Sequence, residues 1–531
     1  MGNIYSKRAA QVKSELKEYT PLSVLEVFHE YFLIPDTDRL SILKRAPWCC
    51  YLLLKWSFAQ PVSDDRKPIT PEIFVRLANR LYEAQSEAAD LSSGNLTLEL
   101  RRFLTPQILY QTTDSSTILQ LVRHYCWLYN SKTHYFSSVF KKNFDFELKD
   151  FYEISFLLMF IASSKIKTES FTLNFSEIIS LLHPSYSIQT IAKYIAAISV
   201  TPEQAHVLCS TLNKDNHPSW EYFEDTPFLT KPCFTVGNKL IIPSAPVFMV
   251  GLADFVVYHL KLREKESFKE KLGDVMEAYL LSLLTEYGAK FICEQDIESI
   301  YKANGVKGKK VDAIIDFGDA KIFTDSKAIE PGVFVNTTST PEELRDRLSG
   351  SFTKGLIQAQ QCAATLQKIG AHTTSVKDVA LIVTNRDHHI SSGKKLTENI
   401  DQSIPTKLIH DIGHIPIKLE RTYFITIADF EMMLEGWKSK GIDPIRVIDD
   451  CESRDRDLLT SRHNFQMHLR DYGLEKASPN RVLAAARDEL ASSIAKQLAM
   501  MDSFWSGKIG YYLDCHHELV EMLVVLRSQQ A

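Results

Sequence analysis

The hydrophobic period changes along the chain, and that change limits the folds open to it. From about Val12 to Asn213 apolar residues recur at three and four, as in Leu22, Val24, Leu25, Phe28 and Phe32 and again in Ile118, Leu119, Leu121, Val122, Cys126 and Leu128. This is the period of helices that bury one face. Thr70-Pro71-Glu72, Thr105-Pro106 and Thr201-Pro202-Glu203 read as helix starts, each with a capping hydroxyl before a proline at the first helical position. Phe175–Leu182 and Ile188–Ile198 flank His183-Pro184-Ser185 and read as an αα-hairpin, because the second segment lacks the basic face of a groove-reading helix. After Thr226 helix and strand periods alternate: a helix over Lys265–Tyr287, strands over Ala289–Glu294, Lys309–Phe317 and Lys321–Lys327, a helix over Ser351–Ile369 and an apolar strand over Val379–Thr384. A further strand is expected over Arg421–Ile427 and helices again beyond Asp449. The order α-β-β-β-α-β predicts an α/β or α+β unit with a mixed sheet. The expected organisation is a helical domain over 1–225, a strand-helix connector over 226–265, the α/β domain over 266–448 and a helical extension over 449–531.

At 531 residues and 45% apolar content the chain suits more than one core. A formal charge of -5 excludes a globally basic nucleic-acid coat, so contact with phosphate must be regional. The nine cysteines are scattered, with no CxxC pair, as expected of reduced thiols in a cytosol. Polar residues follow Met1 where a secretory signal would be apolar. The most membrane-like stretch, Leu240–Leu260, holds Pro243, Pro246 and Asp254 and reads as strand, turn and buried helix. The expectation is a cytoplasmic protein without a membrane partner.

The segment from Val311 to Ala328, VDAIIDFGDAKIFTDSKA, carries the chemistry. Gly318-Asp319 is a two-residue turn with Gly first, as a type II′ hairpin requires. If Phe317 faces Ala320, then Asp316 meets Lys321, Ile314 meets Phe323 and Asp312 meets Asp325 across the strands. Alternation puts Lys327 on the face of Asp325. Two opposed carboxylates repel unless a cation lies between them, and a hard divalent ion, Mg²⁺ or Mn²⁺, is suited to that place. Lys327 is then placed to stabilise charge on a phosphate or help deprotonate a water.

Glu277 lies off the main apolar stripe of its helix yet has Leu280, Leu281 and Leu284 at i+3, i+4 and i+7, with Gly273 at i−4 to admit a strand. A carboxylate framed in this way calls for a partner. Lys354, Gln358 and Gln361 form one polar stripe at i, i+4 and i+7. Tyr301–Lys310, with Lys307, Lys309 and Lys310, reads as a basic loop with an aromatic, suited to gripping a nucleic-acid backbone or standing as a solvated tip.

A glutamate on the first helix (GDVMEAYL), an aspartate on the second strand (VDAIIDFG), Asp-x-Lys on the third (TDSKA) and a glutamine-bearing helix (KGLIQAQQ) together resemble the PD-(D/E)xK superfamily of restriction-endonuclease-like nucleases. The resemblance covers about Phe268–Thr384. It implies a metal-dependent nuclease in which Glu277, Asp312 and Asp325 bind Mg²⁺ or Mn²⁺, Lys327 assists hydrolysis, Gln358 supports the site, and Lys307, Lys309, Lys310 and Lys354 meet nucleic acid. Val311 replaces the motif proline, and Asp325 stands where many members have Glu. DNA is the family default substrate; RNA, including transfer RNA, and an inactive nuclease-fold sensor are the alternatives. The helical additions are similar to those of prokaryotic antiphage-defence nucleases, which implies a phage- or host-derived activator bound by the N-terminal domain and leaves room for a homo-oligomer. No P-loop, GxGxxG, HExxH or GxSxG points to another enzyme class.

Overall fold

The computed structural model describes residues 4–35, 43–61, 65–89, 95–111, 114–131, 133–164, 168, 170–214, 216–328, 333–373, 375–457, 459–474 and 479–529. The fold is mixed α and β, mostly helical, with two small mixed sheets. It divides into two units: Met1–Ser92, Phe103–Lys265 and Leu483–Ala531 form the first, and Ser93–Arg102 with Glu266–Val482 the second.

The first unit surrounds a core rich in rings, among them Phe28, Trp56, Phe58, Phe74 and Phe234, all buried. Thr70 caps its helix by accepting from Ile73 N, and Thr201 and Gln204 close a capping box. Thr105-Pro106 departs from the expected start, since Pro106 lies inside the Leu96–Ile108 helix. The predicted pair Phe175–Leu182 and Ile188–Ile198 forms with those bounds. A four-stranded sheet runs β1 (Phe171–Asn174), β4 (Lys239–Ile242), β3 (Cys233–Val236), β2 (Ser199–Val200) in spatial order; β3 and β4 lie in the connector expected to hold strands, while β1 and β2 lie in the stretch expected to be helical. The expected connector over 226–265 is thus part of this unit, with β3 and β4 pairing to β2 and β1. The expected C-terminal extension divides as well: 483–531 folds with the first unit and 449–482 with the second. The apolar stretch after Ile242 becomes helix Ala245–Glu286, broken at Lys265 (φ 47, ψ −116). By length and composition it is long and apolar enough to cross a membrane, and 61% of its most apolar window is buried inside the chain.

The second unit is built on a five-stranded sheet in the order β5 (Phe291–Cys293), β6 (Ala313–Asp316), β7 (Lys321–Lys327), β8 (Val379–Thr384), β9 (Thr422–Thr426). β5, β6 and β7 are antiparallel, whereas β7, β8 and β9 run parallel. All six residues of β8 are buried, as a central parallel strand covered on both faces demands. Gly318 takes φ +76 in the turn, Phe317 N bonds Ala320 O at 3.0 Å, and the register pairs Asp316 with Lys321 and Ile314 with Phe323. Extending that register by one places Asp312 opposite Asp325. Helix Lys354–Lys368 covers one sheet face, with Leu356, Ala359, Cys362, Ala363 and Leu366 packed in one core with Ile314, Phe323, Ile382 and Phe424. Because strand side chains alternate, Asp312, Asp325 and Lys327 share that face.

Candidate metal centre

Asp312 immediately precedes β6, and its Oδ2 accepts from the backbone N and the hydroxyl of Ser326, each at 2.6 Å. Opposite Asp312, one step beyond the Cys293–Ala313 pair, Glu294 opens helix Glu294–Ala303 directly after β5, and its backbone N donates to Asp312 O at 3.1 Å. The Ala245–Glu286 helix supplies Glu277. Oxygens of Glu277, Glu294 and Asp312 all lie within 4.8 Å of one another, and each residue is half-buried. A hard divalent ion with bonds of roughly 2.1 Å spans about 4.2 Å between opposite ligands, so small side-chain shifts suffice to close these oxygens around one ion.

The electrostatics are those of acids held together. Burial raises the Glu277 carboxyl to about 7, Asp312 and Glu294 add to the rise, and Lys327 opposes it. Burial also raises Asp312 above its ordinary range, against the Ser326 hydrogen bonds and Lys327. Oxygen donors, crowded negative charge and carboxyls that resist ionising fit Mg²⁺ or Mn²⁺, which would relieve the repulsion.

Asp325 lies deeper, at 1% exposure, and is used differently. Its Oδ2 contacts Lys327 Nζ, and its Oδ1 accepts from Gln358 Nε2 at 3.2 Å. Burial still carries its carboxyl up to about 7 in spite of Lys327. Gln358 Nε2 also contacts Lys310 O, so this amide ties helix Lys354–Lys368 to both the strand and the preceding loop. Gly355 permits the close approach, since a Cβ there would meet Ile382 Cγ1 at 3.0 Å and Asp325 Oδ2 at 3.3 Å. The three-acid group expected from the sequence is therefore rearranged: Glu277 and Asp312 converge with Glu294, while Asp325 is held by Lys327 and Gln358.

The basic loop also differs from its reading. Tyr301 ends up buried in helix Glu294–Ala303, donating to Lys309 O at 2.8 Å, and presents no stacking ring. Lys310 Nζ sits 2.9 Å from both Glu294 and Glu298. Lys307, Lys309 and Lys354 are exposed. Gly273 admits no strand, for the space beside it is open. Comparison with protein families, curated proteins and solved structures finds no match.

Proposed function

We propose that the second unit is a divalent-metal-dependent phosphodiesterase, and that its substrate is nucleic acid. The observation that carries this reading is the convergence of Glu277, Glu294 and Asp312 within 4.8 Å, beside a lysine fixed on the same strand face. More narrowly, we propose a restriction-endonuclease-like core of the PD-(D/E)xK kind. Support comes from the three antiparallel and two further parallel strands, the covering helix that bears Gln358 and the Asp-x-Lys on β7.

Glu277, Glu294 and Asp312 would hold Mg²⁺ or Mn²⁺, which supplies a water acidified enough to attack near neutral pH and a charge to clamp the phosphate oxygens. Asp325 fixes the Lys327 ammonium so that its remaining N–H donors face the phosphate whose charge grows during hydrolysis. Gln358 fixes Asp325 in turn. Lys307, Lys309 and Lys354 would steer the polyanion, which the net charge of -5 does not. Lys310 neutralises Glu294 and Glu298 and adds less to that steering. A defence role with an activator bound by the first unit completes the proposal and rests on the resemblance alone.

The test is incubation of the full chain with Mg²⁺ or Mn²⁺ and, separately, plasmid, linear duplex, single-stranded DNA and total RNA. Cleavage of DNA is expected; cleavage confined to RNA would correct the substrate, and no cleavage of any would favour an inactive nuclease fold.

The raised carboxyls also fix a pH dependence. A carboxyl whose folded value is raised holds a proton that the unfolded chain releases, so its contribution is present at low pH and lost as pH rises through about 7. Ion-free stability should therefore fall from about pH 5 to 8, while the gain in Tm caused by Mg²⁺ should grow over the same range and level off above about 7. A Mg²⁺ gain that does not vary with pH would contradict this.

A further inference from the structure

One of the three acids of the candidate metal centre already carries a cation from the protein itself. Lys310 Nζ lies 2.9 Å from Glu294 Oε1 and 2.9 Å from Glu298 Oε2, so a single ammonium bridges two acids at i and i+4 on helix Glu294–Ala303. Glu294 is at the same time one of the residues with an oxygen within 4.8 Å of oxygens from Glu277 and Asp312. The other lysine nearby is placed differently: Lys327 pairs with Asp325, which stands outside the three-acid group.

The main chain fixes both ends of this bridge, while the side chains keep room to turn. Glu294 N donates to Asp312 O at 3.1 Å, and Lys310 O accepts from Gln358 Nε2, the amide that also holds Asp325. The Glu294 side chain is 40% exposed and that of Lys310 24%. An ion pair this open to water contributes little, so the contact between Lys310 and Glu294 is easily broken. Losing it does not strand the ammonium, because Glu298 remains at 2.9 Å. A divalent ion bonded to Glu294 at roughly 2.1 Å comes close to an ammonium on the same carboxylate. The repulsion between them is twice that between two single charges at the same distance.

We propose that Lys310 and the divalent ion compete for Glu294: the ion displaces the ammonium, Lys310 withdraws to Glu298, and the pair it gives up sets the ion concentration at which the centre loads. This competition rests on the metal reading of Glu277, Glu294 and Asp312. A purely positioning role, in which Lys310 holds Glu294 in the pose that ligates, predicts the opposite sign for ion affinity.

The test is isothermal titration of the full chain with Mn²⁺ at pH 8, with thermal melting in the presence and absence of the ion, for the parent, Lys310→Met and Lys310→Arg. Methionine keeps most of the stem and removes the charge; arginine keeps the charge. Lys310→Met is expected to bind Mn²⁺ roughly tenfold more tightly than the parent, and Lys310→Arg to stay within a few-fold of it. Without the ion Lys310→Met should melt below the parent, since Glu294 and Glu298 lose their shared cation, and its gain in Tm on adding Mn²⁺ should be larger. Affinity in Lys310→Met equal to or below that of the parent, with no larger gain in Tm, would overturn the competition and leave the metal centre standing. Binding to neither protein would remove the metal centre and the competition with it. Binding detected in Lys310→Met alone would support both.

Discussion

Asp312→Asn is expected to lower metal-dependent cleavage by roughly 10³-fold, and Lys327→Ala by about 10²–10³-fold. The two losses have different origins. Asp312 is the acid shared by the hairpin and the metal group: it is gripped by Ser326 and lies within 4.8 Å of both Glu277 and Glu294. Asparagine keeps the size and one acceptor oxygen but removes the charge. Raising Mn²⁺ should restore part of the activity of Asp312→Asn, because the defect is ion affinity. It should restore none in Lys327→Ala if, as proposed, the lost group acts on the phosphate and not on the ion. Initial rates across a Mn²⁺ series measure both, and cleavage that survives either substitution at unchanged rate would remove that residue from the mechanism.

The second large effect is on stability. Arg101→Met should destabilise the second unit by about 3–5 kcal/mol, a large share of what a domain has. Arg101 is 1% exposed and donates to His388 O at 2.8 Å, Val335 O at 2.7 Å and Thr338 O at 3.4 Å. Methionine approximates the volume but leaves those carbonyls without the guanidinium and takes one positive charge away from Asp387. Urea unfolding followed by fluorescence measures the change. A loss below about 1 kcal/mol would mean that water replaces the guanidinium at little cost.

The parts of this account readable in the sequence were those governed by local geometry. Gly318 sets the two-residue turn, the turn sets the register, and the register carries Asp312 to face Asp325 without any other information. Val379–Thr384 was equally plain as an unbroken apolar run. Glu294 was not found, because it reaches Asp312 across paired strands from a position 18 residues away, and an acid at the start of a helix reads as a complement to the helix dipole. A signal existed: Glu294 and Glu298 are i and i+4 on one helix face, a spacing that offers two acids to one cation, and Lys310 takes both. The role of Asp325 depended on which neighbour came nearest. With Lys327 on its own strand and Gln358 on the covering helix, the buried carboxylate already has two partners before an ion is considered.

The unit boundaries were harder for a related reason. The units divide at Lys265, where φ turns to 47 and where the sequence reading also ended its connector; what apolar spacing does not show is that 226–265 folds with the residues before it. The segment 93–102 joins the second unit through Leu98, which lies in that unit's core, and Arg101, whose hydrogen-bond partners lie more than 200 positions away.

The central claim is that Glu277, Glu294 and Asp312 hold one divalent ion. Isothermal titration of the full chain with Mn²⁺ at pH 8, beside Glu294→Gln and Asp312→Asn, tests it most directly. The account predicts one ion per chain, with affinity lowered about tenfold or more in each variant. Equal affinity in all three proteins, or no binding to the parent chain, would contradict it.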